Sequence, residues 1–262
     1  MIKYTIKPGY QHLFNNISDD FHKWFNENGE TIYKIRNEVK IIKHNNELLC
    51  IKSFQRPNIV NTIVYSFFRP SKAKRSYLYA SKLTDAKIKT PEPVAFIEFY
   101  NRYGFIDKSY FISKYYKHSF SMDAVLKKKE FNNDKKRREE IIEKLTTYIY
   151  QNLHSKGILH LDLGGNNILV DNSSDKLEFS LIDLNRIKFK KRLSFKTKVK
   201  NMSRLQGGVY ELAVIAQTYG NLAKADEVEV IEQLAKNKNR LKRFRKFKRK
   251  YLKPFKGLIT RK

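Results

Sequence analysis

The stretch that decides the fold reads Leu153-His154-Ser155-Lys156-Gly157-Ile158-Leu159-His160-Leu161-Asp162-Leu163-Gly164-Gly165-Asn166-Asn167-Ile168-Leu169-Val170, with Leu181-Ile182-Asp183 further on. Upstream of it, Ile141, Leu145, Ile149 and Leu153 recur at four-residue spacing. That spacing draws one apolar stripe along a helix over about residues 138–154. Downstream, residues 168–170 and 177–182 read as two short strands joined by the turn residues Asp171-Asn172-Ser173-Ser174-Asp175. A polar loop carrying Asp162 and Asn167 therefore feeds a hairpin whose second strand ends at Asp183.

Asp162 and Asn167 stand at the H-x-D-L-x-x-x-x-N spacing of a kinase catalytic loop. Phosphoryl transfer needs a carboxylate that orients the attacking hydroxyl and accepts its proton. It also needs oxygen ligands for the Mg²⁺ ions that bridge the nucleotide phosphates. Asp162 fits the first task, Asn167 and Asp183 the second, and His160 is placed to brace the loop. Any one of these residues alone reads as a turn residue or strand cap. Their combination, between apolar strands, favours the chemistry.

The first third of the chain is rich in strands. Residues 31–36, 39–43, 47–54, 94–99 and 109–115 have the composition of strands, and Asn45-Asn46 makes a tight turn between the second and third. A helix over about 71–83 interrupts the series, and a polar turn at about 101–107 joins the last two strands. No internal repeat and no Gly/Ser/Pro-rich linker divides the chain.

Among 262 residues there are 54 Lys+Arg and 26 Asp+Glu, a formal net charge of +28. Residues 186–204 hold nine cations and residues 236–262 hold fourteen, with no acid in either run. These two segments account for most of the excess, so the expected partner is an anion. The single cysteine, Cys50, excludes a disulfide framework and any multi-cysteine zinc site. It reads as a buried small hydrophobe in a reducing compartment. The N-terminus lacks the apolar core of a secretory signal, and no apolar run is long enough to span a bilayer. The expectation is an intracellular protein, soluble or bound to a membrane surface.

Beyond these readings the sequence resembles the protein-kinase-like superfamily, and more closely the bacterial lipopolysaccharide kinase (Kdo/WaaP) family. The residues that carry the resemblance are Lys52-Ser53-Phe54, residues 65–69, Ser71-Lys72-Ala73-Lys74-Arg75-Ser76-Tyr77 and Ile88-Lys89-Thr90-Pro91-Glu92-Pro93-Val94. His160-Leu161-Asp162-Leu163-Gly164-Gly165 and Asp183-Leu184-Asn185-Arg186 are also similar to that family's variants of the kinase loops. The resemblance covers about residues 30–220. It implies an α+β, protein-kinase-like two-lobed fold in one domain. The β-rich N-lobe would run to about residue 114. The mainly helical C-lobe would cover about 115–262 and end in a basic helix at about 237–252. It implies ATP and Mg²⁺ as cofactors, Lys52 on the nucleotide phosphates, Asp162 as catalytic base, and Asn167 and Asp183 as metal ligands. The implied acceptor is a sugar hydroxyl, on Kdo or heptose, of the anionic glycolipid lipid A–core at the cytoplasmic face of the inner membrane.

Two departures stand out. The turn Arg36-Asn37-Glu38 has no glycine where kinases use a Gly-rich loop, which leaves Arg36 and Asn37 as candidate phosphate-binding side chains. Residues 71–83 contain no acid to pair with Lys52, and Leu78 stands where one is expected; Glu98 is the candidate partner instead.

The basic segments have two readings each. Leu241, Phe244, Phe247, Tyr251 and Phe255 form an aromatic stripe interleaved with cations that include Arg243, Arg245, Lys246 and Arg249. That is either a helix lying on an anionic membrane or a helix packed on the C-lobe. Arg186 and Lys188, just after Asp183, are candidate acceptor contacts or solvated charges. The competing functions are a minimal atypical Ser/Thr protein kinase, a pseudokinase and a basic nucleic-acid-binding protein. The last accounts for the charge but leaves Asp162, Asn167 and Asp183 unexplained. No obligate protein partner is inferred.

Overall fold

A computed structural model describes residues 1–14, 20–127, 129–174 and 176–247. The chain divides into two units. The first comprises Met1–Ser119 with Ser180–Ile187; the second comprises Phe120–Phe179 with Lys188–Lys262.

The first unit is built on β1 (Ile2–Ile6), α1 (Phe21–Glu27), β2 (Glu30–Lys34), β3 (Glu38–His44), β4 (Glu47–Phe54), α2 (Ile59–Ile63), α3 (Lys72–Asp85), β5 (Pro93–Tyr100) and β6 (Ile106–Lys114). The six strands form one sheet in the order β1-β5-β6-β4-β3-β2. The β3–β4 hairpin closes through Asn45 and Asn46, with φ of 46° and 63°. Two successive left-handed residues make the type I′ turn whose twist matches antiparallel strands, and asparagine tolerates it. That turn sets the register in which Val39 faces Lys52 and Lys40 faces Ile51.

Both faces of the sheet are covered. Leu13, Phe21 and Phe25 pack with Leu49, Ile51, Ile97, Tyr110 and Ile112 on one side. Ala73 and Tyr77 of α3 pack with Phe54 and Phe96 on the other. This is why β5 is buried along nearly its whole length. Ser71 caps α3, its Oγ accepting from the Lys74 amide at 3.1 Å.

Five strands and one helix were expected here; the sheet has six strands. The extra one is β1, which pairs antiparallel with β5 from Ile2↔Phe99 to Ile6↔Ala95. Its residues Ile2-Lys3-Tyr4-Thr5-Ile6 alternate apolar and polar side chains, but its three middle residues are exposed and its pairing is with a strand far along the chain, which no local spacing announces. The short helix α1 also lay outside the sequence reading.

The second unit holds β7 (Phe120–Ser121), α4 (Met122–Leu126), α5 (Lys135–Tyr148), β8 (Ile158–His160), β9 (Ile168–Asp171), the start of β10 (Glu178–Leu181), the end of β11 (Ile187–Phe189), α6 (Phe195–Met202), α7 (Val209–Ala223) and α8 (Glu227–Phe247). The stripe Ile141, Leu145, Ile149 and Leu153 is fully buried, and α5 runs into a π-helical turn at Ile149–His154. A buried ionic contact links α5 to α7, where Arg138 meets Glu211 at 3.6 Å. Glu211 also accepts from the Gly208 amide at 2.7 Å, at the α7 N-terminus where a carboxylate is favoured. Gly157 adopts φ of 72°, and a Cβ there would fall 1.8 Å from the Lys190 carbonyl oxygen. Only glycine allows that approach.

The last helix begins at Glu227 rather than near residue 237, because Val230 and Leu234 extend its buried side by two turns. Arg243 is exposed on it. Arg245 and Lys246 lie on its backbone, and Arg249, Tyr251 and Phe255 fall outside the described residues.

Candidate active site

In the second unit the loop after β8 carries Asp162. The Asp162 amide donates to Nδ1 of His160 at 3.1 Å, and the Asp162 carbonyl accepts from Nδ2 of Asn167 at 2.8 Å. The backbone of Asp162 is thus held from both sides, while its side chain is half-buried. The start of the next turn is seated by Gly165, whose missing Cβ would meet the Asp123 amide nitrogen at 2.6 Å. His160 is fully buried and its carbonyl accepts from Nδ2 of Asn201 at 2.9 Å. Asn201 in turn lies 3.1 Å from Nε2 of His154, whose Nδ1 lies 2.8 Å from the Tyr219 hydroxyl. A buried polar network therefore runs from α7 through α6 to the loop that bears Asp162.

His154 carries a pH consequence. Burial pushes its imidazole down to about 4 from 6.5, opposed by the hydrogen bond to Asn201, while the nearby Lys198 charge lowers it further. Below pH 6.5 the unfolded chain takes up a proton that the folded chain refuses. Stability from this group should therefore fall as pH drops from 6.5 to 4, by about 3 kcal/mol in all. Urea midpoints across this range should show the decline, and His154→Gln should flatten it. A slope unchanged in that variant would assign the acid sensitivity elsewhere.

In the first unit Lys52, on β4, places Nζ 2.6 Å from Oδ1 of Asp183. The side chains are 19% and 32% exposed, so the pair is shielded yet reachable from solvent. The acid that meets Lys52 is Asp183 and not Glu98; Glu98 is buried and accepts from the Tyr100 hydroxyl at 3.1 Å. Lys40, the neighbouring strand lysine, is also buried. Its Nζ donates to the carbonyls of Phe25, Asn26 and Asn28 at the C-terminal end of α1, a structural role.

Asp183 sits in the left-handed region, at φ 56° and ψ 52°. An aspartate tolerates this conformation, and such residues cluster at functional sites. Its Oδ1 also accepts from Nδ2 of Asn185 at 2.6 Å, and the Asn185 carbonyl accepts from Nε of Arg75 at 3.1 Å. The buried Arg75 belongs to α3. The helix that lacks an acid for Lys52 is thus tied to Asp183 through Arg75 and Asn185. Thr90 adds a further hold, its hydroxyl donating to the Leu181 carbonyl at 2.8 Å. In the sequence Arg75 and Asn185 stand out only as parts of motifs, and Asn201 only as part of a basic run. No local spacing signals such contacts.

Arg36 is exposed, and the half-buried Asn37 uses Oδ1 to accept from the Gln55 amide at 3.2 Å, holding its own turn against the end of β4. The Lys72 amine is pushed below its ordinary range by burial, with smaller contributions from the Arg36, Arg75 and Lys52 charges. Cations thus gather around Lys72 in this unit. Arg186 and Lys188 are exposed. Among the described residues no three His, Cys, Asp or Glu side chains gather to hold a metal alone. Asp183 and Asn167 each offer an oxygen donor of the hard kind that Mg²⁺ takes.

A six-stranded sheet with an inserted helix, and a mainly helical unit with an Asp-bearing loop, are the parts of a protein-kinase-like fold. Solved structures of 1183 chains match this one, so the fold by itself does not select an acceptor. One of them, a structure of WaaP in complex with acyl carrier protein, aligns at a TM-score of 0.60 and 14% identity, covering 92% of this chain and 97% of that one. No curated protein sequence matches the chain. The lipopolysaccharide kinase (Kdo/WaaP) family matches over residues 59–225, and the chain belongs to that family. It is a kinase, and ATP is its phosphate donor. No helix among the described residues is long and apolar enough to cross a membrane.

Proposed function

We propose that this kinase phosphorylates a hydroxyl of an inner-core sugar, Kdo or heptose, of lipid A-linked lipopolysaccharide at the cytoplasmic face of the membrane. The observation that carries the reading is the Lys52–Asp183 pair, in a chain of this family whose Asp162 is fixed through its backbone by His160 and Asn167. The acid-free run that follows Asp183, with Arg186 and Lys188 exposed, suits an acceptor rich in phosphate and carboxylate.

In this reading Lys52 holds the nucleotide phosphates, with Arg36 and Asn37 at the turn that lacks a glycine. Asp183 and Asn167 are the ligands for Mg²⁺, which when bound offsets phosphate charge. Asp162 orients the acceptor hydroxyl and takes its proton as the oxygen bonds to the γ-phosphorus. The bond to the bridging oxygen breaks and ADP leaves. The exposed Arg243 and the cations after it are candidates for contact with an anionic leaflet.

The test is incubation with γ-labelled ATP and either purified lipid A–core or protein acceptors. Label in the extracted glycolipid is expected; label confined to protein would replace this reading with that of an atypical protein kinase. WaaP's complex with acyl carrier protein bears on the expectation of no obligate protein partner, so the assay is run with and without that carrier.

A further inference from the structure

The segment between β4 and α3 is amphipathic in the wrong sense for a soluble protein. The helix α2 continues as a π-helical turn over Val64–Phe68, and neither part has a buried residue. Two of its polar side chains, Thr62 and Ser66, are half-buried. The Ser66 hydroxyl accepts from the Ile106 amide at 2.9 Å, and Thr62 donates back to the Pro57 and Asn58 carbonyls at 3.2 and 3.0 Å. Its apolar side chains face outward: Ile59, Val60, Phe67 and Phe68 are 78%, 69%, 62% and 81% exposed, and Ile63 is 44% exposed. At about 100° per residue, Ile59, Val60 and Ile63 share one side of α2, and the exposed Phe67 and Phe68 follow at the end of the π-helical turn.

The rim of this ridge is cationic. Residues 55–84 contain six Lys and Arg and no acid, and Arg69, directly after Phe68, is exposed. Phe67 packs edge-on against Phe105 of the β5–β6 turn, with ring centroids 5.7 Å apart. On that turn the exposed Tyr103 lies under the Arg102 guanidinium at 4.7 Å. Apolar tips, an amphipathic tyrosine and arginines at the edge are the pattern of an interfacial element. Contiguous exposed apolar side chains of this size mark an interaction surface.

We propose that Ile59, Val60, Ile63, Phe67 and Phe68 form a bilayer-docking ridge that inserts into an anionic leaflet, with Arg69 and Arg102 against the lipid phosphates. The ridge deepens the reading above, since it rests on an acceptor that is itself anchored in lipid. It lies far along the chain from the basic C-terminal segment and acts by apolar insertion. An anionic leaflet fits better than a folded partner because Asp107, the acid of the β5–β6 turn region, is taken up by Arg56 at 2.5 Å, and the exposed Arg69 and Arg102 need only a diffuse negative field.

The test measures partition of the full-length chain onto vesicles of equimolar phosphatidylglycerol and phosphatidylcholine, with no nucleotide or acceptor present. The outcome is then readable even if the kinase reading fails. Ile59→Ser, Val60→Ser and Phe68→Ser combined should weaken partition about 100-fold. The loss should persist in high salt, where screening removes the contribution of the C-terminal cations. The melting temperature and phosphorylation of a delipidated core oligosaccharide should stay near the parent values, because these side chains are 69–81% exposed. Phe68→Trp should give fluorescence that shifts to the blue on vesicles and is quenched by brominated lipid. Parental partition by the triple variant, or no shift in the tryptophan variant, overturns the proposal. So does loss of self-association, or of binding to a soluble acidic carrier protein, in a triple variant that still partitions normally.

Discussion

An Asp162→Ala variant should transfer phosphate about 10²- to 10⁴-fold more slowly than the parent, the range expected when a positioned general base is removed. Nucleotide affinity should stay close to the parental value, since the carboxylate acts on the acceptor hydroxyl. The fold should tolerate the change. Two hydrogen bonds that hold this residue run through its backbone, from its amide to His160 and from Asn167 to its carbonyl. Those bonds survive removal of the side chain. Single-turnover kinetics with a saturating nucleotide and either acceptor form measure the effect. Near-parental turnover by a folded variant would remove Asp162 from the chemistry and leave it as a turn residue.

Lys52→Met should reduce kcat by about 10²- to 10³-fold, the loss typical when one preorganised donor to developing charge is deleted. Asp183→Asn should weaken binding of Mg-ATP more than binding of metal-free ATP, because an amide is a poorer ligand for a hard cation. The pair stands at 2.6 Å, so each side chain fixes the other, and the double variant should be little worse than the poorer single one. Calorimetry with and without Mg²⁺, together with kcat for the three variants, checks both parts. Equal losses in the two calorimetric series would make Asp183 a strand-end cap. Fully additive losses in kcat would show that the two residues act apart. Stability is expected to change little, since both side chains keep some access to water and the uncompensated partner can be hydrated.

Cys50 bears on handling rather than on mechanism. The sequence suggested a buried small hydrophobe; on β4 the residue is half-buried, and burial raises its thiol to about 11, with the Lys52 charge pulling the other way. It should react slowly with alkylating reagents at neutral pH.

The sequence by itself determined what depends on short spacing. The α5 stripe, the Asn45-Asn46 turn and the Asp162 to Asn167 interval are all set by neighbours within a turn or a hairpin. There, backbone geometry alone dictates which side chains share a face. Only the tertiary structure decided which of several similar residues has which task. Lys40 and Lys52 are both strand lysines. The first is consumed by the carbonyls at the end of α1, and the second reaches Asp183 across 131 residues of chain. The missing acid on α3 could be read from the sequence, but its replacement by the route through Arg75 and Asn185 could not. Strand register and helix packing select those partners, and residue identity does not encode either locally. The outward-facing ridge at residues 59–68 is the same case. Residues 59–68 lay outside the elements read from the sequence, and the hydrogen bond from the Ile106 amide to Ser66, made across 40 residues of chain, is one of the contacts that leave the apolar side chains in solvent.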